Sequence, residues 1–304
     1  MVHKNYLNAE QFERYKQFIY AGSIGEAKKM LLEIIPKDCM IYKYYRGINR
    51  DWNSIIKPEL WLCKATCFND PYDSAFLCNC HSKKIYDPQT EYTLAVEEGL
   101  KQYEQDQKSD IMQDAVLVGC FSERNDSLLM WSHYADEHRG LCIGYNLHDL
   151  IKNYNCFPVI YSDEMPQGKE LGLNKTDSLM KYILTKYSDW SYEKEWRIIQ
   201  IDNTCTESGK LITFEGPLEV YMGLGKRVED KYRRNHKKLA ELKQKDNLLK
   251  VSEAIEKDDF YVDDTKITDY RRKLRDEGQK IGLYNFELSR QKFELEPRKW
   301  SIGI

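Results

Sequence analysis

The sequence lacks any hydrophobic run long enough to cross a membrane. A spanning helix needs about 20 consecutive apolar residues, and no stretch of the 304 residues approaches that length. The amino terminus, MVHKNYLNAEQFERYKQF, is polar and lacks the apolar centre of a signal peptide. We therefore expect a soluble, cytoplasmic protein with no membrane partner.

A strong net charge is also lacking. The 46 basic and 49 acidic residues leave a formal charge of -3, so no global field draws the protein to nucleic acid. Residues 226–238 are a local exception because basic side chains gather there: Lys226, Arg227, Lys231, Arg233, Arg234, Lys237 and Lys238. This run can contact the phosphates of a nucleic acid. A solvated helix face, balanced by later acidic residues, is the alternative.

Two familiar motifs are missing. The cysteines between residues 63 and 80 lack the paired CxxC spacing of a zinc ribbon, and we interpret them as reduced thiols. Ser122, His133 and either Asp70 or Asp126 could form a hydrolase triad, but no GxSxG motif surrounds Ser122. The sequence therefore favours neither a zinc ribbon nor a serine hydrolase.

The apolar periodicity predicts an α+β protein with a mixed central sheet. Predicted helices cover residues 8–35, 90–107, 126–138 and 176–190, and predicted strands cover 39–45, 115–121, 141–147, 158–163, 193–201, 211–216, 218–225 and part of 293–304. The stretch FNDPYD, residues 68–73, predicts a turn. We divide the chain into an N-terminal helical segment (1–38), an α+β catalytic-type domain (39–225) and a charged helical extension with a closing strand (226–304).

The stretch WSYEKEWRII places two glutamates one residue apart. If this stretch is a strand, Glu193 and Glu195 point to the same face of the sheet. In a cleft, the pair can divide chemical roles between two carboxylates. On a solvated face, it would merely pair with Lys194, Arg197 or Arg46.

Other polar and aromatic residues lie where predicted strands and helices meet. Arg46 follows the first strand and Ser122 ends another, while Trp131, His133 and Tyr134 lie on the next predicted helix. Core packing is the alternative interpretation of Trp131 and Tyr134.

These residue types suit cleavage of the glycosidic bond of NAD. An arginine binds phosphate through paired donors, and a serine hydroxyl can support the ribose. Glu195 can stabilise the positive charge that develops on the ribose, and Glu193 can activate the incoming nucleophile. Tyr44, Trp131, His133 and Tyr134 are the candidate aromatic contacts of the cofactor.

The order of arginine, serine and Glu-x-Glu resembles that of the Arg-Ser-Glu class of mono-ADP-ribosyltransferases. YKYYR corresponds to the first strand of that family, CFS to the serine strand and EKE to the Glu-x-Glu element. The resemblance implies a split central sheet, NAD as a substrate, Arg46 in binding, and Glu195, Glu193 and Ser122 in catalysis.

A second resemblance covers roughly residues 40–225. The phrases FNDPYD, CFSE, LLMWSHYADEHRGLCIGY and WSYEKEWR are similar to a widespread bacterial family known only as a domain of unknown function. Members of such families commonly occur near bacterial defence genes. The resemblance therefore implies a toxin or a phage-defence effector, without naming a reaction.

Together these features predict an ADP-ribosyltransferase, or an NAD glycohydrolase, that acts on a macromolecular or small acceptor without a metal. One alternative is a non-catalytic module that senses a ligand or a partner. The other is a nuclease in which Asp70, His133, Glu193 and Glu195 gather a metal ion.

Overall fold

The computed structural model describes residues 6–47, 51, 59–74, 103–104, 107, 110–166, 176–214, 216, 218–223, 282–288 and 295–299. Within these residues the protein is mixed α/β, with several helices and a mainly antiparallel sheet, which confirms the predicted fold class at this level. None of the helices in these stretches has the length and apolar character of a membrane span. The basic run at 226–238 and most of the predicted helix at 90–107 lie outside the described residues.

The helices are α1 (Ala9–Tyr20), α2 (Ile24–Ile34), α3 (Leu128–Tyr134), α4 (Leu147–Asn153) and α5 (Thr176–Ile183), with 3-10 helices at Ala65–Cys67 and Ser188–Glu193. The strands are β1 (Met40–Tyr45), β2 (Glu59–Lys64), β3 (Val116–Ser122), β4 (Leu141–Asn146), β5 (Cys156–Pro158), β6 (Ile160–Ser162), β7 (Thr185–Tyr187), β8 (Glu195–Ile201), β9 (Gly209–Thr213), β10 (Glu219–Met222), β11 (Gly282–Leu288) and β12 (Leu295–Lys299). Most predicted strands are confirmed, including the closing strand near the end of the chain.

The chain divides into two compact units, each built from three stretches. Unit 1 comprises Met1–Lys37, Trp61–Cys120 and His148–Ile212, and unit 2 comprises Asp38–Leu60, Phe121–Leu147 and Thr213–Ile304. The predicted three-part division at residues 38 and 225 stays a prediction.

Unit 1 combines α1 and α2 with strands in the order β9, β2, β3, β8 and β5, and with the parallel pair β6 and β7. Helix α1 begins at a capping box in which Asn8 and Gln11 bond each other's backbone N–H groups. Tyr15 is fully buried, and its hydroxyl donates to the carbonyl of Pro158 at 2.7 Å. The predicted helical segment at 8–35 is thus confirmed as two helices.

The helix predicted at residues 176–190 is too long. It ends at Ile183 and is followed by strand β7 and the 3-10 helix Ser188–Glu193. The buried Lys186 explains the difference, because its ammonium group forms ion pairs inside unit 1 that the extended backbone of β7 allows. Tertiary contacts override the helical periodicity here.

Unit 2 contains strands in the order β12, β11, β10, β4 and β1, with the end of β3 beside β1. Neighbouring strands are antiparallel except for β10 and β11. Ile41 of β1 is opposite Tyr145 of β4, and Ile143 of β4 is opposite Val220 of β10. All four side chains are buried. Alternation along these strands therefore gives unit 2 an apolar face.

Helix α3 of unit 2 is shorter than the predicted 126–138. Ser127 caps it by accepting the N–H of Met130 at 3.4 Å. The helix stops at Tyr134 because Asp136, Glu137 and His138 all have left-handed backbone, with φ of 47°, 53° and 70°. Three successive non-glycine residues in this region store backbone strain.

Replacing Glu137 with glycine is expected to leave unit 2 as stable as the wild type, or more stable by up to about 1 kcal/mol, because glycine adopts positive φ without strain. The Glu137 side chain is 75% exposed and reaches only Arg139, at 3.2 Å, so its loss costs little. Thermal unfolding of the two proteins measures the difference.

Glu13→Gly is the matched control, because Glu13 is exposed within the ordinary helical backbone of α1. There glycine is expected to destabilise the protein by about 1 kcal/mol. Equal losses in both variants would show that the left-handed turn carries no strain.

Candidate functional site

Five charged side chains lie buried together in unit 1, and we call them the ionic cluster. They are Asp73, Lys186, Glu193, Glu195 and Arg197. Their exposed fractions are 5%, 8%, 2%, 4% and 0%. Charged side chains are almost never buried this deeply unless they are paired.

Arg197 of β8 links the turn at residues 71–74 to Glu195. Its two terminal nitrogens each donate to one carboxylate oxygen of Asp73 at 2.7 Å. Its Nε donates to Oε1 of Glu195 at 2.8 Å, and Nη1 also donates to the carbonyl of Ile183 at 2.6 Å. This forked, two-sided geometry is specific to a guanidinium group.

Lys186 of β7 is shared among three carboxylates. Its Nζ lies 2.6 Å from Glu193 Oε2, 2.9 Å from Glu195 Oε2 and 3.4 Å from Asp73 Oδ2. The same ammonium lies 5.2 Å from the ring centre of Trp190, a cation–π contact. Carboxylates therefore outnumber cations in the ionic cluster, three to two.

Glu193 and Glu195 both contact Lys186, but the backbone that positions them differs from the predicted strand. Glu193 is the last residue of the 3-10 helix, Lys194 has left-handed backbone with φ of 44°, and β8 begins only at Glu195. The prediction that both glutamates share one strand is therefore wrong. Their burial also contradicts the alternative of a solvated surface pair.

The ionic cluster favours the charged forms of Glu195 and Lys186. Burial alone would raise the pKa of Glu195, but the positive charges of Arg197 and Lys186 hold that pKa well below its usual range. Burial opposes the charge of Lys186, but nearby carboxylates, Glu195 foremost, raise its pKa above the usual value. At neutral pH Glu195 is thus a fixed anion rather than a ready proton acceptor.

The other predicted site residues belong to unit 2, and three of them surround the loop between β3 and α3. Ser122 is fully buried, and its hydroxyl accepts the N–H of Arg124 at 3.1 Å. The Tyr44 hydroxyl donates to the carbonyl of Arg124 at 2.8 Å, and its ring meets Trp131 edge to face at 5.5 Å. Trp131 is fully buried and donates to the carbonyl of Asn125 at 2.6 Å.

These contacts favour core packing for Trp131. Arg46, by contrast, is exposed after the end of β1. His133 is exposed beside the half-buried Tyr134, with ring centres 6.1 Å apart. The predicted roles of these unit 2 residues in binding NAD stay predictions.

A second polar row crosses the sheet of unit 2. Tyr42 of β1 is opposite Ser122 of β3 on one side and Gly144 of β4 on the other. Gly144 is in turn opposite Glu219 of β10. A Cβ at Gly144 would lie 3.1 Å from the Tyr42 ring and 3.2 Å from the Cβ of Glu219, so glycine lets these side chains close over the strand. The Tyr221 hydroxyl donates to Glu219 at 2.8 Å.

Comparison with protein families finds a match to one part of the chain. Residues 130–198 match a family model described as a protein of unknown function, DUF2971. Searches of curated proteins and of solved structures find no match to the chain. The expected resemblance to a family of unknown function is confirmed over this stretch, and the match names no reaction.

The DUF2971 stretch contains four of the five members of the ionic cluster: Lys186, Glu193, Glu195 and Arg197. Asp73 lies outside it and enters the cluster through the turn FNDPYD. Sequence reasoning missed Lys186 because its segment predicted a helix, and missed Asp73 because the turn explained that residue fully. One signal could have indicated both residues. If the Glu-x-Glu-x-Arg segment is buried, its glutamates need a cation and its arginine needs a carboxylate from elsewhere in the chain.

The nuclease alternative needs a metal centre. Among the described residues, no three histidine, cysteine, aspartate or glutamate side chains are arranged as metal ligands. The carboxylates of the ionic cluster instead face the ammonium group of Lys186 and the guanidinium group of Arg197.

Proposed function

We propose that the protein is an NAD-dependent ADP-ribosyltransferase, or an NAD glycohydrolase when water is the acceptor, with Glu193 and Glu195 at the reaction centre. The observation that carries the proposal is the excess of carboxylates in the ionic cluster, where Asp73, Glu193 and Glu195 face two cations. A toxin or phage-defence effector is the proposed cellular role, and a split sheet of the ADP-ribosyltransferase type is the proposed finer fold.

The charge excess suits the transition state of this reaction. When the bond between nicotinamide and ribose breaks, both bonding electrons leave with the nicotinamide nitrogen, and positive charge develops on the ribose. Fixed anions in a site of low dielectric stabilise such a charge without reorganising. Glu195, which stays ionised, supplies one fixed anion.

Glu193 is proposed to take the proton of the attacking acceptor. It ends the 3-10 helix before β8, and its Oε2 accepts a hydrogen bond from Nζ of Lys186 at 2.6 Å. The acceptor then bonds to the ribose carbon that nicotinamide has left. Binding of phosphate by Arg46 and support of the ribose by Ser122 are proposed separately, to be tested with Arg46→Ala and Ser122→Ala.

A second candidate function is a binding module that uses the same charges without turnover. The observation that favours it is the way Glu195 is held in place. Its carboxylate accepts hydrogen bonds from Arg197 and Lys186, and its backbone N–H donates to the hydroxyl of Tyr161. A fixed anion of this kind can hold a cationic ligand. Binding of NAD without release of nicotinamide would support this function.

Incubation with labelled NAD and a bacterial lysate tests the enzyme. The wild type is expected to release nicotinamide and to label macromolecules, and Glu195→Gln is expected to lower kcat by roughly 100-fold or more, as loss of a transition-state contact does. Glu193→Gln is expected to slow transfer to the acceptor. Addition of a chelator is expected to have no effect, whereas a metal-dependent nuclease would lose its activity.

The matched control is Asp202→Asn. Asp202 is also a lysine-paired carboxylate of unit 1, bonded to Lys210 at 2.8 Å, but it lies outside the ionic cluster. Its amide variant is expected to keep wild-type turnover. A wild type that consumes no NAD with lysate present would overturn the proposed reaction.

A further inference from the structure

Tyr161 of unit 1 borders the ionic cluster. It lies on β6 directly opposite Lys186 of β7. Its phenol oxygen accepts the backbone N–H of Glu195 at 2.8 Å. The side chain is half-buried.

The accepted hydrogen bond leaves the hydroxyl proton of Tyr161 unused. A tyrosine hydroxyl is both a donor and an acceptor, and in the bond with Glu195 it can only accept. In the part of the chain that the structure describes, no residue accepts its proton. By contrast, the hydroxyl of Tyr15 donates to Pro158 and that of Tyr44 donates to Arg124.

The Tyr161 hydroxyl also remains protonated. Burial raises its pKa well above the usual value, and the negative charge of Glu195 raises it further. The group is therefore a donor at every pH at which the protein is expected to work. The hydroxyl can donate to an oxygen atom of a ligand, and the neighbouring carboxylates favour positive charge on that ligand. Together they suit a ligand whose oxygen atom lies close to a positive centre.

We propose that Tyr161 donates a hydrogen bond to an oxygen atom of the ligand bound beside Glu193 and Glu195. This inference rests on the proposed function, and it makes Tyr161 a binding residue for NAD. Two parts of NAD supply an oxygen next to the reacting bond: the ribose hydroxyls and the carboxamide of nicotinamide. Each of them has a neutral oxygen atom that can accept a hydrogen bond and that lies close to the developing positive charge.

The test compares Tyr161→Phe with Tyr15→Phe in the full-length chain. Each substitution removes one hydroxyl, keeps the ring and loses one buried hydrogen bond, so both are expected to lower the Tm. Only Tyr161→Phe is expected to raise the Kd and the KM for NAD, by roughly three- to tenfold, the usual worth of one hydrogen bond. Titration of ADP-ribose and of N-methylnicotinamide distinguishes the ribose oxygen from the carboxamide oxygen.

A Tyr161→Phe protein with the wild-type Kd for NAD and for both fragments would overturn the inference and leave the proposed function standing. A wild type that neither binds nor cleaves NAD would overturn both. If Tyr161→Phe does not fold, 3-fluorotyrosine placed at position 161 keeps the hydroxyl. Its fluorine resonance is then expected to shift when NAD is added, and an unchanged resonance at saturating NAD would overturn the inference.

Discussion

Substitution of Arg197 by methionine is expected to lower the free energy of unfolding by about 3–5 kcal/mol, the usual cost of leaving a buried charge without its partner. The variant leaves Asp73 and Glu195 buried with Lys186 as their only described counter-charge. Since native proteins are stable by about 5–15 kcal/mol, a loss of this size removes a large part of the total. Urea unfolding followed by circular dichroism measures it.

Lys210→Met is the control, because Lys210 is 48% exposed and an ion pair in water, such as the one it forms with Asp202, contributes little to stability. Arg197→Lys separates charge from geometry. It keeps the positive charge but loses the fork that binds both oxygens of Asp73, so an intermediate loss is expected. If Arg197→Met were as stable as Lys210→Met, the ionic cluster would have no part in holding unit 1 together.

Local patterns predicted the strands well, because burial imposes its periodicity directly on the sequence. The continuous apolar run at 115–121 became β3, whose residues from Val116 to Val118 are buried on both faces. The tyrosine-rich segment at 39–45 became β1. These elements depend on short-range alternation and apolar content, which a single sequence displays.

The ionic cluster was predicted only in part, because its geometry comes from contacts distant in the sequence. Nothing local to Asp73 indicates that it bonds Arg197, 124 positions away. The left-handed backbone of Lys194 is similarly invisible, since lysine has no preference for that conformation. The Glu-x-Glu pair marked two members of the ionic cluster, although the two glutamates do not share one strand.

The aromatic residues of the DUF2971 stretch show why a motif alone does not separate packing from binding. Trp131 and Tyr134 stood out as candidate cofactor contacts because they lie in a distinctive motif. The structure places Trp131 against Tyr44 and the loop after β3, where both side chains support the backbone. A distinctive motif can therefore record packing as readily as binding, and only the positions of the side chains separate the two.

Lys186→Met is expected to destabilise the protein at pH 7 by about 3–5 kcal/mol, because it removes the ammonium group that Glu193 and Glu195 share. The double variant Lys186→Met/Glu193→Gln removes one cation and one anion together. It is expected to recover much of the loss, since replacing both partners of a buried pair leaves no uncompensated charge. Unfolding free energies of the wild type, both single variants and the double variant complete the cycle.

The stability of Lys186→Met is expected to rise as the pH falls from 8 to 5, a range over which the Glu195 contribution to the wild type is constant. In the wild type the pKa of Glu195 is lower in the folded state than in the unfolded chain, so its contribution is present above the ordinary carboxyl pKa and is lost as the pH falls. In Lys186→Met a proton bound by the cluster replaces the missing ammonium charge, so stability should rise as the pH falls from 8 to 5, by at most about 1.4 kcal/mol per pH unit for one proton. Unfolding measured at pH 5, 6, 7 and 8 distinguishes the rising stability of the variant from the constant Glu195 contribution in the wild type. A variant whose stability stays constant or falls over this range would show that Lys186 does not balance the carboxylates.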